Sequence, residues 1–166
     1  MMKILKDQEY LRSILFGIED SLISTTGLIA GISVGSKNNR FVFLAVIVAI
    51  FIEGVAMGVG EYLSDDEVND LDKLKRNIDN PLLSGLLMLI SYIFAGMILL
   101  SPILFVSFPT SLVISIVFAF LAFFMLGYTK GKLLNTSPVR GGLKILTVGG
   151  FATILGLLMG FVFKFK

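Results

Sequence analysis

The sequence contains no cysteine and no histidine. These absences exclude disulfide bonds, thiolate metal sites and every catalytic or metal-binding arrangement that uses an imidazole. Any metal chemistry must therefore use Asp, Glu, Met and backbone carbonyl oxygens. The sequence also shows no nucleophile–base pair and no cofactor motif, so we expect neither an enzyme nor a resident cofactor.

Apolar residues dominate the chain, at 55% of 166 residues with a mean hydropathy of +0.91. About 20 consecutive apolar residues cross a hydrocarbon layer of about 30 Å. Five segments of this kind predict an all-α integral membrane protein, with a single transmembrane domain over residues 1–166. The predicted spans are residues 14–34, 41–62, 81–104, 108–128 and 142–163.

Lys and Arg are distributed unevenly between the two ends of these spans. Ten of the fourteen precede the first span or lie in the second and fourth loops. The positive-inside rule therefore predicts a cytoplasmic N-terminus. The first apolar segment is too long for a signal peptide and lacks a clear cleavage site, so we expect a retained span. The net charge of +2 indicates no nucleic-acid partner.

Acidic residues interrupt the first two spans. On the second, Glu53, Met57 and Glu61 follow one another at a spacing of four, so they drift about 80° around the helix while climbing roughly 12 Å. On the first, Glu19 and Asp20 lie about 8 to 9 Å from the cytoplasmic end, which puts Asp20 at the depth of Glu53 and Met57. Ionisable residues inside a span are typical of an ion or proton path.

The first two spans contain no Lys or Arg, so their carboxylates either take protons or hold a cation. Carboxylates alone suit Mg²⁺, Ca²⁺ or Mn²⁺, and the thioether of Met57 shifts the preference toward softer ions such as Fe²⁺. For Glu19 and Glu61, snorkelling or pairing with a juxtamembrane Lys or Arg is the alternative. A passive divalent cation channel and a non-transporting membrane scaffold remain alternatives to a cation–proton exchanger.

Capping motifs predict where several helices begin. Ser64-Asp-Asp-Glu67 fits a capping box and predicts a short amphipathic helix over residues 65–78 on the cytoplasmic surface. The third span contains no charged residue and is expected to serve as scaffold. Two further motifs predict the starts of the third and fifth helices: Asn80-Pro81 and Ser137-Pro138.

Three motifs resemble those of the vacuolar iron transporters, which move Fe²⁺ and Mn²⁺ out of the cytosol. They are Phe16-Gly-Ile-Glu-Asp-Ser-Leu-Ile-Ser-Thr-Thr26, Met57-Gly-Val-Gly-Glu-Tyr-Leu-Ser64 and Ser137-Pro-Val-Arg-Gly-Gly-Leu143. The resemblance covers nearly the whole chain in the same five-span order. It implies a homodimer that exchanges metal for protons along its two-fold interface, on a path lined by the first helices.

The resemblance places Asp20 and Met57 on the ion path and matches Glu61 to the family's Gly-Glu-Tyr glutamate. We therefore expect Asp20, Glu53, Met57 and Glu61 to bind the metal, and Glu19 and Glu61 to form the cytoplasmic entrance or couple protons. Two residues depart from the family pattern. Glu19 stands where Asn is usual, and Glu53 is an additional acid.

The second loop departs further, because plant-type members carry a long glutamate-rich metal-binding domain there and only residues 63–80 stand here. None of that domain's ligands carries over. Its absence, together with the lack of a vacuolar sorting signal, favours a prokaryotic plasma membrane, and a vacuolar or other organelle membrane is the alternative. The hypothesis is a dimeric transporter that exports Fe²⁺ or Mn²⁺ from the cytoplasm by proton antiport.

Overall fold

Five long α-helices make up the described part of the protein. The computed structural model describes residues 8–71 and 80–164, and these residues contain no strand. All five helices are long and apolar enough to cross a membrane. The all-α class and the five predicted spans are thereby confirmed. The helices are α1 (Gln8–Ser36), α2 (Asn39–Leu71), α3 (Pro81–Phe105), α4 (Thr110–Leu133) and α5 (Pro138–Val162).

Two helices begin at the predicted proline motifs. The Asn80 side chain accepts a hydrogen bond from the Leu83 N–H at 3.1 Å, and Pro81 occupies the first position of α3. α5 begins at Pro138, but the Ser137 side chain makes no capping hydrogen bond. Both helices therefore start at a proline, whose fixed φ angle suits the first turn of a helix. Only the start of α3 also has a side-chain cap.

α2 is longer than predicted, because it continues without a break from Asn39 to Leu71. The expected capping box at Ser64 is wrong, since this serine lies inside α2 and the backbone amides around it belong to a continuous helix. A tertiary contact supports the extension, with Asp65 3.7 Å from the Arg12 guanidinium of α1. Residues 72–78 of the expected surface helix lie outside the described residues.

α1 is the central helix and packs against all four others. Around it, α2 packs against α3, α3 against α4, and α4 against α5. Within the described ranges, α2 and α5 do not contact each other. The ring of helices is therefore open along one side, where a face of α1 remains uncovered.

The central position of α1 explains its composition, which is the least apolar of the five spans. A Cβ atom at Gly17 would lie 2.7 Å from the carbonyl oxygen of Met88 on α3, and the Ser21 hydroxyl donates to the Tyr92 carbonyl oxygen at 2.6 Å. Small residues let helices approach closely, and the Ser21 hydroxyl shows that a short polar side chain can bond to the neighbouring backbone. The buried small residues of α1 include Ser13, Gly17, Ser21, Thr25 and Ser33.

α4 and α5 approach each other most closely at glycine. A Cβ atom on Gly127 would meet the carbonyl oxygen of Gly141 and lie 2.6 Å from its carbonyl carbon. No side chain fits between the two backbones at this point without moving a helix.

We expect Gly127→Ala to lower the free energy of unfolding by about 1–3 kcal/mol, because the added methyl group forces the two helices apart. Thermal unfolding of the purified protein in detergent measures this loss. Gly60→Ala is the matched control, since a Cβ atom there meets nothing within 4 Å. Equal unfolding temperatures for the two variants would contradict the close α4–α5 contact.

Candidate functional site

A groove of about 720 Å³ occupies the opening between α2 and α5. One face of α1 forms its floor, and α2 and α5 form its walls. The lining consists of apolar residues and glycines, with two polar exceptions, Ser24 on α1 and Glu53 on α2. Glu53 thus brings an ionisable group into an otherwise apolar groove at the side of the bundle.

Hydroxyl groups from two other helices hold the Glu53 carboxylate. Ser24 of α1 donates to Oε2 at 2.7 Å, and the phenol of Tyr92 on α3 donates to the same oxygen. The two hydroxyl oxygens are 2.7 Å apart. Tyr92 is fully buried. Hydrogen bonds, rather than a cationic side chain, therefore compensate the cost of placing this carboxylate away from water.

Asp20 lies one helical turn before Ser24 on α1 and is partly buried. Its carboxylate interacts electrostatically with those of Glu53 and Glu19. In residues 8–71 and 80–164, we find no hydrogen bond or ion pair that holds the Asp20 side chain. Asp20 thus has a negatively charged neighbour but no fixed donor, which leaves its oxygens available to a proton or a cation.

Met57 lies on the same side of α2 as the two glutamates of the predicted stripe. Glu53 bonds to Ser24 of α1, and Glu61, two turns further along α2, bonds to Ser13. Because α1 and α2 run antiparallel, Met57 lies level with the α1 segment between these serines. The predicted stripe therefore faces α1, and Met57 is partly buried there.

Glu61 is ion-paired. Its Oε1 accepts hydrogen bonds from Nη2 of Arg12 at 2.8 Å and from the Ser13 hydroxyl at 2.6 Å, and its side chain is 8% exposed. The structure thus bears out the alternative that the sequence left open for Glu61, a partner among the juxtamembrane cations. These contacts fasten the start of α1 to the end of the second membrane span.

Glu19 is also ion-paired, with the Lys130 ammonium of α4 at 2.6 Å from its Oε2. Lys130 lies in the last turn of α4. The positive charge of Lys130 compensates the extra acid that stands next to Asp20.

The predicted site residues therefore divide into two groups. Asp20 and Glu53 interact with each other and have no cationic partner among the described residues, whereas Glu19 and Glu61 each bind a basic side chain. In the described part of the chain, no three acidic side chains form a preformed metal cluster. The metal-binding roles of Asp20, Glu53, Met57 and Glu61 stay predictions.

Sequence reasoning did not name Tyr92, Arg12 or Lys130 as partners of these acids. A signal existed for Tyr92, because membrane tyrosines concentrate at the interface and this one stands in the middle of an uncharged span. Arg12 and Lys130 gave no comparable signal. Their partners lie on other helices, and those pairings depend on how the helices pack.

Comparison with known proteins identifies the family. The model of the VIT family matches residues 11–78 and 65–161. The chain belongs to the VIT family. It is also similar to "VIT-like transporter 1b" of Glycine max, with 22% identity over 168 residues that cover 89% of this chain and 73% of the relative.

Membership confirms the resemblance to the vacuolar iron transporters. The VIT family is a family of membrane transporters and not an enzyme class. With five membrane-spanning helices, the protein is an integral membrane protein, and its family indicates transport of metal ions.

We expect Arg12→Met to lower the free energy of unfolding by about 1–3 kcal/mol, because Glu61 would remain buried without its cation. Thermal unfolding in detergent measures this loss. Adding Glu61→Met should recover part of it, since no uncompensated charge then remains. Arg40→Met, at an exposed position, is the matched control. Glu61→Gln with unchanged stability but weakened Mn²⁺ binding would contradict this structural role.

Proposed function

We propose that the protein exports Fe²⁺ or Mn²⁺ from the cytoplasm in exchange for protons. The observation that carries the proposal is the Glu53 carboxylate, which lines an open groove along α1 and is near enough to Asp20 for their charges to interact. Neither has a Lys or Arg partner among the described residues. Carboxylates in a low-dielectric layer take up either a cation or a proton, so the same two groups can carry each in turn.

The ligand types support a divalent transition metal as substrate. Asp20 and Glu53 supply hard oxygen ligands, which suit Mn²⁺, and the Met57 thioether adds a softer ligand that favours Fe²⁺. The sulfur lies one turn of α2 from Glu53, at the depth that these carboxylates occupy.

We infer that a second copy of the chain covers the groove. A glutamate facing lipid is costly, whereas a two-fold partner would enclose Glu53 and bring a second set of carboxylates to the same path. Gly27, Gly31 and Gly156 bring α1 and α5 of one protomer together, so the surface left for a partner is the apolar lining beside them. A single protomer assembles no cluster of three acids within its described residues, and a partner would supply further carboxylates.

The distribution of positive charge supports a cytoplasmic N-terminus, and the resemblance to the vacuolar iron transporters supports export from that side. Arg12, Lys130 and Lys144 lie at the helix ends that the positive-inside rule assigns to the cytoplasm. Metal would enter from this side, past the ion pairs of Glu19 and Glu61, and leave at the opposite surface. We propose the plasma membrane of a prokaryote as the location.

Metal uptake into proteoliposomes with an acidic interior tests the exchange. We expect Mn²⁺ and Fe²⁺ to accumulate only while the pH gradient is present. We expect Asp20→Asn to reduce the flux about tenfold or more, because a neutral amide replaces a charged ligand. Asp66→Asn removes the same charge at an exposed position of α2 and should retain wild-type flux.

Gradient-independent equilibration of the metal would contradict antiport and indicate a passive channel. Absence of flux for both ions would overturn the transport proposal as a whole. Undiminished flux in Asp20→Asn would remove this carboxylate from the mechanism while leaving transport itself intact.

Because the native sequence contains no cysteine, a single introduced cysteine can test the proposed dimer by cross-linking. We expect Leu28→Cys, on the groove floor, to give a covalent dimer with a short thiol-specific cross-linker, since both copies present this face. Phe94→Cys, on a strongly exposed part of α3, is the matched control and should remain monomeric on a denaturing gel. Efficient cross-linking through residue 94 alone would place the interface elsewhere.

A further inference from the structure

Tyr92 connects α3 to the groove, although no residue of α3 lines it. Its ring is fully buried and packs against α2, where a Cβ atom at Gly54 would lie 3.4 Å from the Tyr92 Cδ1 atom. Its hydroxyl is the part that reaches a carboxylate. The ring position is thus fixed by packing, and the position of the phenol oxygen is fixed with it.

The two oxygens of Glu53 have different surroundings. Oε2 accepts the hydroxyl groups of both Tyr92 and Ser24, which also contact each other. We find no hydrogen bond to Oε1 in the ranges that the structure describes. One oxygen is therefore held by the protein, and the other is left for a ligand in the groove that Glu53 lines.

We propose that Tyr92 is a positioning residue for a cation site at Glu53, with Ser24 as its partner. The two hydroxyls hold Oε2 in place, and Oε1 then contacts the metal as a single-oxygen ligand. Because the Glu53 side chain is already ordered, it loses little further rotamer freedom when the metal binds. Groups that orient a metal-binding carboxylate in this way commonly change metal affinity 10- to 100-fold when removed. The inference rests on the proposed function, because it concerns how the transported metal is held.

The two carboxylates of the proposed path, Glu53 and Asp20, differ in how firmly the protein orients them. Glu53 is oriented by α1 and α3, while Asp20 has no such donor in the described structure. The oriented carboxylate sets the position and affinity of the cation. Loss of the hydroxyls that orient Glu53 should therefore raise the KM of transport more than it changes the maximal rate.

Initial rates of Mn²⁺ uptake into proteoliposomes, measured over a range of Mn²⁺ concentrations, test this role. We expect Tyr92→Phe to raise KM about tenfold with a smaller change in Vmax, because the ring stays packed and only the hydroxyl is lost. Ser24→Ala should change KM in the same direction. Tyr128→Phe is the matched control, since that ring contacts Phe124 and Lys132 on α4.

A double-mutant cycle separates positioning from packing. If Tyr92 acts through Glu53, then Tyr92→Phe should cause no further change in KM when Glu53→Gln is already present. Thermal unfolding of each variant in detergent shows whether the fold is retained. An unchanged KM in Tyr92→Phe, or an effect that adds fully to that of Glu53→Gln, would overturn the positioning role while wild-type transport stands. A wild-type protein that neither binds nor transports Mn²⁺ would overturn the proposed function as well.

Discussion

A carboxylate removed from water needs a partner for its charge. This requirement determines how the acidic residues of the membrane-spanning helices are arranged. The chain meets it in two ways. Glu61 and Glu19 bind the basic side chains of Arg12 and Lys130. Glu53 is held by two hydroxyls. Asp20 alone among the predicted acids has neither kind of partner in the described structure.

These arrangements depend on the close packing of α1. Small residues such as Gly17 and Ser21 let α3 approach until a hydroxyl or a tyrosine can reach across the interface. In the described structure, the four helices around α1 leave a single opening, because α2 and α5 do not contact each other. The face of α1 exposed there carries glycines, with Ser24 and Glu53 beside them.

The two departures from the family pattern have different consequences for the charge of the proposed path. Glu19 adds an acid, but Lys130 adds a cation 2.6 Å away, so the pair contributes little net charge. Glu53 adds an acid without a cation, and its hydroxyl partners are compatible with a negative charge. Of the two, Glu53 is therefore the residue that would add negative charge to the proposed path.

The sequence by itself determined the all-α class, the five spans, the helix starts at Pro81 and Pro138, and membership in the family. Each depends on composition, local periodicity or a contiguous motif, which are properties of neighbouring residues. The capping motif at Ser64 failed because it is also a local signal, and a helix already in progress, supported by the contact between Asp65 and Arg12, overrode it.

Only the tertiary structure decided which acids are paired and which are available. Glu53 and Tyr92 are 39 positions apart, and Glu19 and Lys130 are 111 positions apart. No periodicity within a single helix encodes such a contact, since it depends on which faces of different helices meet and at what level. The acidic residues of the path can therefore be named from the sequence, but their separation into two ion pairs, one oriented carboxylate and one unheld carboxylate results from packing around α1.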